Sequence, residues 1–129
     1  MTKRASRIAR MDTLARKIVR LRDERCQCPE CEGGGFALEC AHIIIRRFYV
    51  CRWNLLNLIL LCKKCHANFD ANPVWGMRWF NEQFPARADV IADLKILRNS
   101  PEERTKTWRD SDLEEIEDQL KEKFNELKE

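Results

Sequence analysis

Two cysteine pairs in this chain have the spacing of a metal-binding loop, Cys28-Pro-Glu-Cys31 and Cys62-Lys-Lys-Cys65. Two intervening residues let both thiolates reach one ion, and two such pairs complete the tetrahedral sulfur set of a structural zinc. The chain holds 7 cysteines, an odd number that suits a secreted disulfide framework poorly. In a reducing compartment, pairs at this spacing point to metal. Cys28, Cys31, Cys62 and Cys65 are therefore the expected zinc ligands, with Cys26 as the alternative to Cys28. Cys40 and Cys51 read as buried apolar thiols.

The 2 histidines lie within or beside the segment that these pairs bound. His42 closes the run Glu39-Cys40-Ala41-His42, and His66 directly follows Cys65. An imidazole near its unperturbed pKa can take up a proton at neutral pH or ligate a metal when neutral. Asp70 is one helical turn beyond His66 and shares its face. Its plainer reading is a solvated carboxylate near a helix end. Asn57 falls between the histidines and opens Asn57-Leu58-Ile59-Leu60-Leu61-Cys62.

These residues need elements to position them. Ile8, Met11, Leu14, Ala15, Ile18 and Leu21 recur at helical spacing, so residues 6–24 read as an amphipathic helix with arginines around its stripe. Gly33 to Gly35 mark a loop. Residues 36–45 and 58–61 read as two strands, and residues 63–71 as a helix. Asn72-Pro73 punctuates the chain and starts a helix to about Gln83, with Trp75 and Trp79 on one face. A further helix is expected over 88–97. Ser111 and Glu114 fit a capping box for a C-terminal helix striped by Leu113, Ile116, Leu120, Phe124 and Leu127.

The order His42, Asn57, His66, within a Cys-x-x-Cys, then Ala-His-Ile, then Asn-Leu-x-x-Leu-Cys-x-x-Cys-His, resembles the HNH endonuclease family. It looks particularly like the zinc-containing phage and prophage members, including phage recombination nucleases. The resemblance covers about Met11 to Pro73. It implies an α+β fold: a small ββα-metal core, stapled by a four-cysteine zinc site and flanked by helices. In units this reads as a basic helix (1–25), the zinc-stapled core (26–73), a helical extension (74–100) and an acidic amphipathic helix (101–129).

The resemblance also implies a metal-dependent hydrolysis of DNA phosphodiester bonds, leaving 5′-phosphate and 3′-hydroxyl ends. His42 matches the general base, Asn57 the residue that ties the hairpin loop and orients the base, and His66 a ligand of the catalytic metal. Asp70 stands where the family often has a further ligand. Many members carry a ligand directly before the base; here that position is Ala41, which cannot coordinate, and Glu39, two residues earlier on the same strand face, is the substitute. Magnesium or manganese suits such a site. Arg46, Arg47 and Arg52, in the loop after His42, are expected to contact phosphates.

Charge agrees with a polyanionic partner. The net charge is +3, but residues 1–66 carry 14 Lys/Arg against 6 Asp/Glu, and residues 67–129 carry 10 against 15. Phosphate contacts by a basic half release counterions, whereas a charge run alone reads as a solvated face. Residues 1–25 lack the apolar run of a signal peptide, and Leu58–Cys62 is too short to span a bilayer. The expectation is a cytoplasmic protein without membrane partners, in a bacterial host if phage-encoded, with a homodimer or a partner bound through the C-terminal helix as open alternatives. The rival reading is a non-catalytic zinc module that binds nucleic acid or serves phage assembly.

Overall fold

Leu58 to Cys62 is apolar throughout and forms a strand buried at all five positions. In chain order the elements are α1 (Lys3–Asp23), β1 (Leu38–His42), α2 (Tyr49–Arg52), a 3-10 turn at Leu55–Asn57, β2 (Leu58–Cys62), α3 (Lys63–Ala71), α4 (Pro73–Gln83), α5 (Pro85–Arg98), α6 (Pro101–Arg104) and α7 (Asp110–Lys128). The computed structural model describes residues 1–31 and 37–129. The expected loop at Gly33 to Gly35, and the start of the first strand at Phe36, lie outside the described residues. The chain is α+β, mostly helical, with one 2-stranded antiparallel sheet among the described residues.

β1 and β2 pair with Leu38 opposite Cys62 and His42 opposite Leu58. A two-stranded hairpin is marginal alone, so helices cover both faces. On one face α1 buries Met11, Ala15, Ile18 and Val19 against Leu58, Leu60 and Trp53, and α7 adds Leu113 and Leu120. On the other face Ala41, Ile59 and Leu61 pack with Phe69 of α3, Trp79 and Phe80 of α4, and Ile91 and Leu94 of α5. The helices expected as an extension beyond residue 74 are thus half of the hairpin's cover. The stripe of α7, open at the sequence level to a partner, is taken up by α1 of the same chain.

Local chemistry explains the helix ends. Pro73 and Pro85 open α4 and α5, where a missing N–H costs nothing. α5 begins three residues earlier than its apolar period suggests, because Pro85 presets the first turn. Gly76 lets α4 approach α3: a Cβ there would meet the Phe69 ring at 2.7 Å. α7 starts at Asp110 and not at the Ser111–Glu114 box; the Asp112 Oδ2 accepts the Arg109 N–H at 2.8 Å and so caps the helix two residues earlier.

One polar contact fixes α1 to the loop after β1. Asp12 accepts two bonds from the Arg52 guanidinium, at 3.0 and 2.6 Å, and one from Trp53 Nε1 at 2.8 Å. Burial alone would raise the Asp12 carboxyl, but Arg52, with the Trp53 N–H, overrides it and holds the acid below its ordinary value. A depressed carboxyl stabilises the fold fully above the unfolded pKa of about 3.9, and that stability is lost as pH falls through the lower folded value. Asp12→Asn leaves Arg52 without its counter-charge and should cost about 3 kcal/mol at pH 7. Thermal melts of both proteins from pH 7 downward should show the gap closing below about pH 4; a gap independent of pH would contradict this.

Candidate functional site

The cysteines come together where three segments meet: the turn after α1, the end of β2 and the start of α3. The Sγ atoms of Cys26, Cys31, Cys62 and Cys65 all lie within 4.8 Å of one another. A tetrahedral zinc with Zn–S near 2.3 Å sets its sulfurs about 3.8 Å apart, and Cys31 and Cys62 stand at 3.9 Å. The donor set therefore fits a structural zinc. Cys62 caps α3, its Sγ accepting the Cys65 N–H at 3.5 Å. That N–H holds the Cys62 thiol down at about 7, while burial pushes Cys26 and Cys65 up. Four thiolates at this spacing repel one another unless a cation lies among them.

The two-residue spacing misassigns one ligand. Cys26, and not Cys28, completes the group. Cys26 accepts backbone N–H bonds from Cys62 and Cys28, so its sulfur faces the cluster. A turn then brings Cys31 back, with its N–H on the Cys28 carbonyl at 3.2 Å. Cys28 is 6% exposed and belongs to the apolar core. Cys51 is fully buried, and Cys40 is half-buried with its thiol pushed up by burial to about 11, as inert packing thiols should be.

Asn57 is fully buried and spans the loop between the strands. Its Oδ1 accepts the Ile44 N–H at 2.7 Å, and its Nδ2 donates to the carbonyls of Ile44 at 3.0 Å and Cys51 at 3.1 Å. Its own carbonyl takes the Ile43 N–H at 2.9 Å. These four bonds set the path of the chain directly after His42.

His42 ends β1 half-buried, with Nε2 3.1 Å from the Arg52 carbonyl. A carbonyl only accepts, so Nε2 carries the proton and the lone pair is on Nδ1. Burial lowers the pKa of His42, which keeps the ring neutral at pH 7.

His66 stands between two carboxylates. Its Nδ1 is 2.8 Å from Glu39 Oε1, and its Nε2 is 3.6 Å from Asp70 Oδ2. The two nitrogens point away from each other, so Glu39 and Asp70 do not converge on one point, contrary to the expectation that both ligate. A histidine that ligates through one nitrogen commonly donates its other N–H to a carboxylate. Glu39 on Nδ1 fits that orienting part and leaves Nε2 with Asp70 as the nitrogen–oxygen pair for a cation.

His42 lies apart from this group. Strand alternation sets His42 with Leu38 and Cys40, and Glu39 with Ala41; Glu39 and His66 line a cleft at the edge of the hairpin with Thr13, Arg16 and Arg20 of α1. Three residues of strand separate Glu39 from His42 by about 10 Å. Of the three loop arginines, Arg52 is committed to Asp12, Arg46 is exposed, and Arg47 stacks on the Phe48 ring at 4.8 Å. Sequence reasoning misses Asp12, although an acid within a helix otherwise rich in arginine is a visible signal for a buried ion pair. Comparisons with protein-family models, with curated proteins and with solved structures find no match for this chain.

The ligand assignment separates two similar mutants. Cys26→Ser should remove the bound zinc and lower the melting temperature by on the order of 10 °C, since metal binding is coupled to folding. Cys28→Ser should keep one zinc per chain in elemental analysis. The reverse pattern would restore the Cys-x-x-Cys reading.

Proposed function

We propose that this chain is a metal-dependent endonuclease of the HNH class that hydrolyses DNA phosphodiester bonds. The observation that carries this is His66 set between Glu39 and Asp70 on a strand–helix unit that a four-cysteine cluster staples together. An imidazole nitrogen beside a carboxylate, with the rest of the coordination sphere open to water and phosphate, is a donor set for magnesium or manganese. A divalent cation held there would neutralise charge developing on the phosphate and its departing oxygen.

The chain's own residues do the rest. His42 offers a neutral Nδ1 to the attacking water and takes its proton, the ring held by the Nε2–H bond to the Arg52 carbonyl. Asn57 fixes the backbone that follows His42, and Asp12 fixes Arg52, so the base is positioned from both sides. In-line displacement puts the attacking water and the leaving oxygen on opposite sides of phosphorus. Of the loop arginines, Arg46 and Arg47 are exposed and suit phosphate contact, whereas Arg52 is held by Asp12.

Supercoiled-plasmid cleavage by wild type and His42→Ala, with magnesium or manganese, tests the reading. Wild type should nick or linearise the plasmid; the mutant should lose at least about a hundredfold in rate while keeping its zinc and melting temperature. Cutting by the mutant would remove His42 from the mechanism, and an inactive wild type would favour the non-catalytic module. The lowered pKa of His42 means the free base persists below pH 6.5. The acid limb of the rate profile should therefore have its midpoint below about 6.5; a midpoint above that value would mean that another group titrates.

A further inference from the structure

A cleft of about 360 Å³ opens where α2 meets the end of α5 and the segment through α6 to Trp108. It gathers four cations, Arg47, Arg98, Arg104 and Lys106, against one carboxylate, Glu103. Several arginines elsewhere are committed, Arg4, Arg7 and Arg10 to carboxylates of α7 and Arg52 to Asp12, while Arg16, Lys17 and Arg20 of α1 line a separate cleft with Glu39 and His66. Among the described residues no ion pair engages any of the four in the cleft.

Aromatic rings hold these cations instead. Arg47 and Arg98 lie over the Phe48 ring at 4.8 and 5.0 Å, and Lys106 lies over Trp108 at 4.0 Å. Tyr49 meets Trp108 edge-on at 5.7 Å and braces it. Stacking on a ring fixes a cation's position yet leaves its N–H donors unspent, which a carboxylate partner would not. A second observation points the same way: the Arg98 Nε is buried and has no hydrogen-bond partner. Buried donors without partners are rare in folded proteins and mark a place where an acceptor belongs.

We infer that this cleft is a phosphodiester-binding subsite that grips a nucleic-acid strand beside the candidate reaction centre. It rests on the nucleic-acid part of the reading above. The cleft includes Arg47 to Val50, on the loop and short helix α2 that follow β1 and His42. Arginine forks suit phosphate oxygens, and a positively charged groove of this kind tracks the backbone of a single strand.

The test is binding of labelled oligothymidylate to the full chain, without added magnesium or manganese, by fluorescence anisotropy across a salt series. Arg104→Gln with Lys106→Gln, both exposed and outside the core, should weaken binding on the order of tenfold at about 0.1 M salt and flatten the slope of log K against log salt by about 1.4. Lys121→Gln with Lys128→Gln removes equal charge from α7 and should leave both quantities nearly unchanged. Arg98→Gln should weaken binding while keeping the wild-type melting temperature. Equal losses in both double mutants, or none in either, would overturn the subsite. So would a wild type that ignores the oligonucleotide and binds polyglutamate. Loss confined to the cleft mutants upholds the subsite even if the plasmid is never cut, and then only the nuclease reading falls.

Discussion

A strand buried along its whole length must find a partner for every backbone polar group, and among the described residues β2 has one neighbouring strand. Its outer edge is satisfied by other means. The Asp23 carboxylate accepts the Leu60 N–H at 3.0 Å, and the Gln27 N–H donates to the Leu60 carbonyl at 2.9 Å. Arg22 and Arg87 each donate to the Leu58 carbonyl at 2.6 Å. An unpaired group there would cost about 1–3 kcal/mol. Those four partners bring the end of α1, the cysteine-bearing turn and the start of α5 against one strand. The positions of Cys26, His42 and the cleft all follow from where that strand lets its neighbours stand.

Much of this was legible in the residues. The apolar run Leu58 to Cys62, the proline start of α4 and the periodic stripe of α1 each dictate their element locally, and the helix over 63–71 ends as its sequence indicates, whereas the apolar period of α5 does not show its start at Pro85. The choice of Cys26 over Cys28 was not legible. It depends on which sulfur the N–H of Cys62 can reach, a contact between segments far apart along the chain. The short helices α2 and α6 also escape periodicity, because four residues cannot establish a period. Glu39 was placed on the correct strand face by alternation alone. That it meets Nδ1 of His66, while Asp70 meets Nε2, depends on the ring's rotation, which no spacing rule contains.

The molecule divides its cations by task. Arg7, Arg10, Arg22 and Arg52 are structural: each pairs with a carboxylate or a strand carbonyl, and the charge imbalance of the N-terminal half overstates what is free for a partner. Arg47, Arg98, Arg104 and Lys106 line one cleft with no ion pair among the described residues, three of them resting on rings. Net charge by segment, which treats these sets alike, therefore locates a polyanion partner less well than the identity of the group against which each cation rests.

The pairing of α1 with α7 also bears on how the chain acquires its structure. Arg10 meets the nearly buried Glu117 across 107 residues of sequence, and Leu113 and Leu120 close over Met11, Ala15 and Ile18. A ribosome delivers α1 before the helix that covers it, which follows the hairpin, the cysteine cluster and the helices on the far face. During synthesis the nascent chain thus carries an open apolar stripe for most of its length, ringed by arginines that keep neighbouring chains apart through like charge. Closing so long a loop adds little entropic cost per added residue, so the α1–α7 contact depends on the apolar area it buries more than on the length of chain between the two helices.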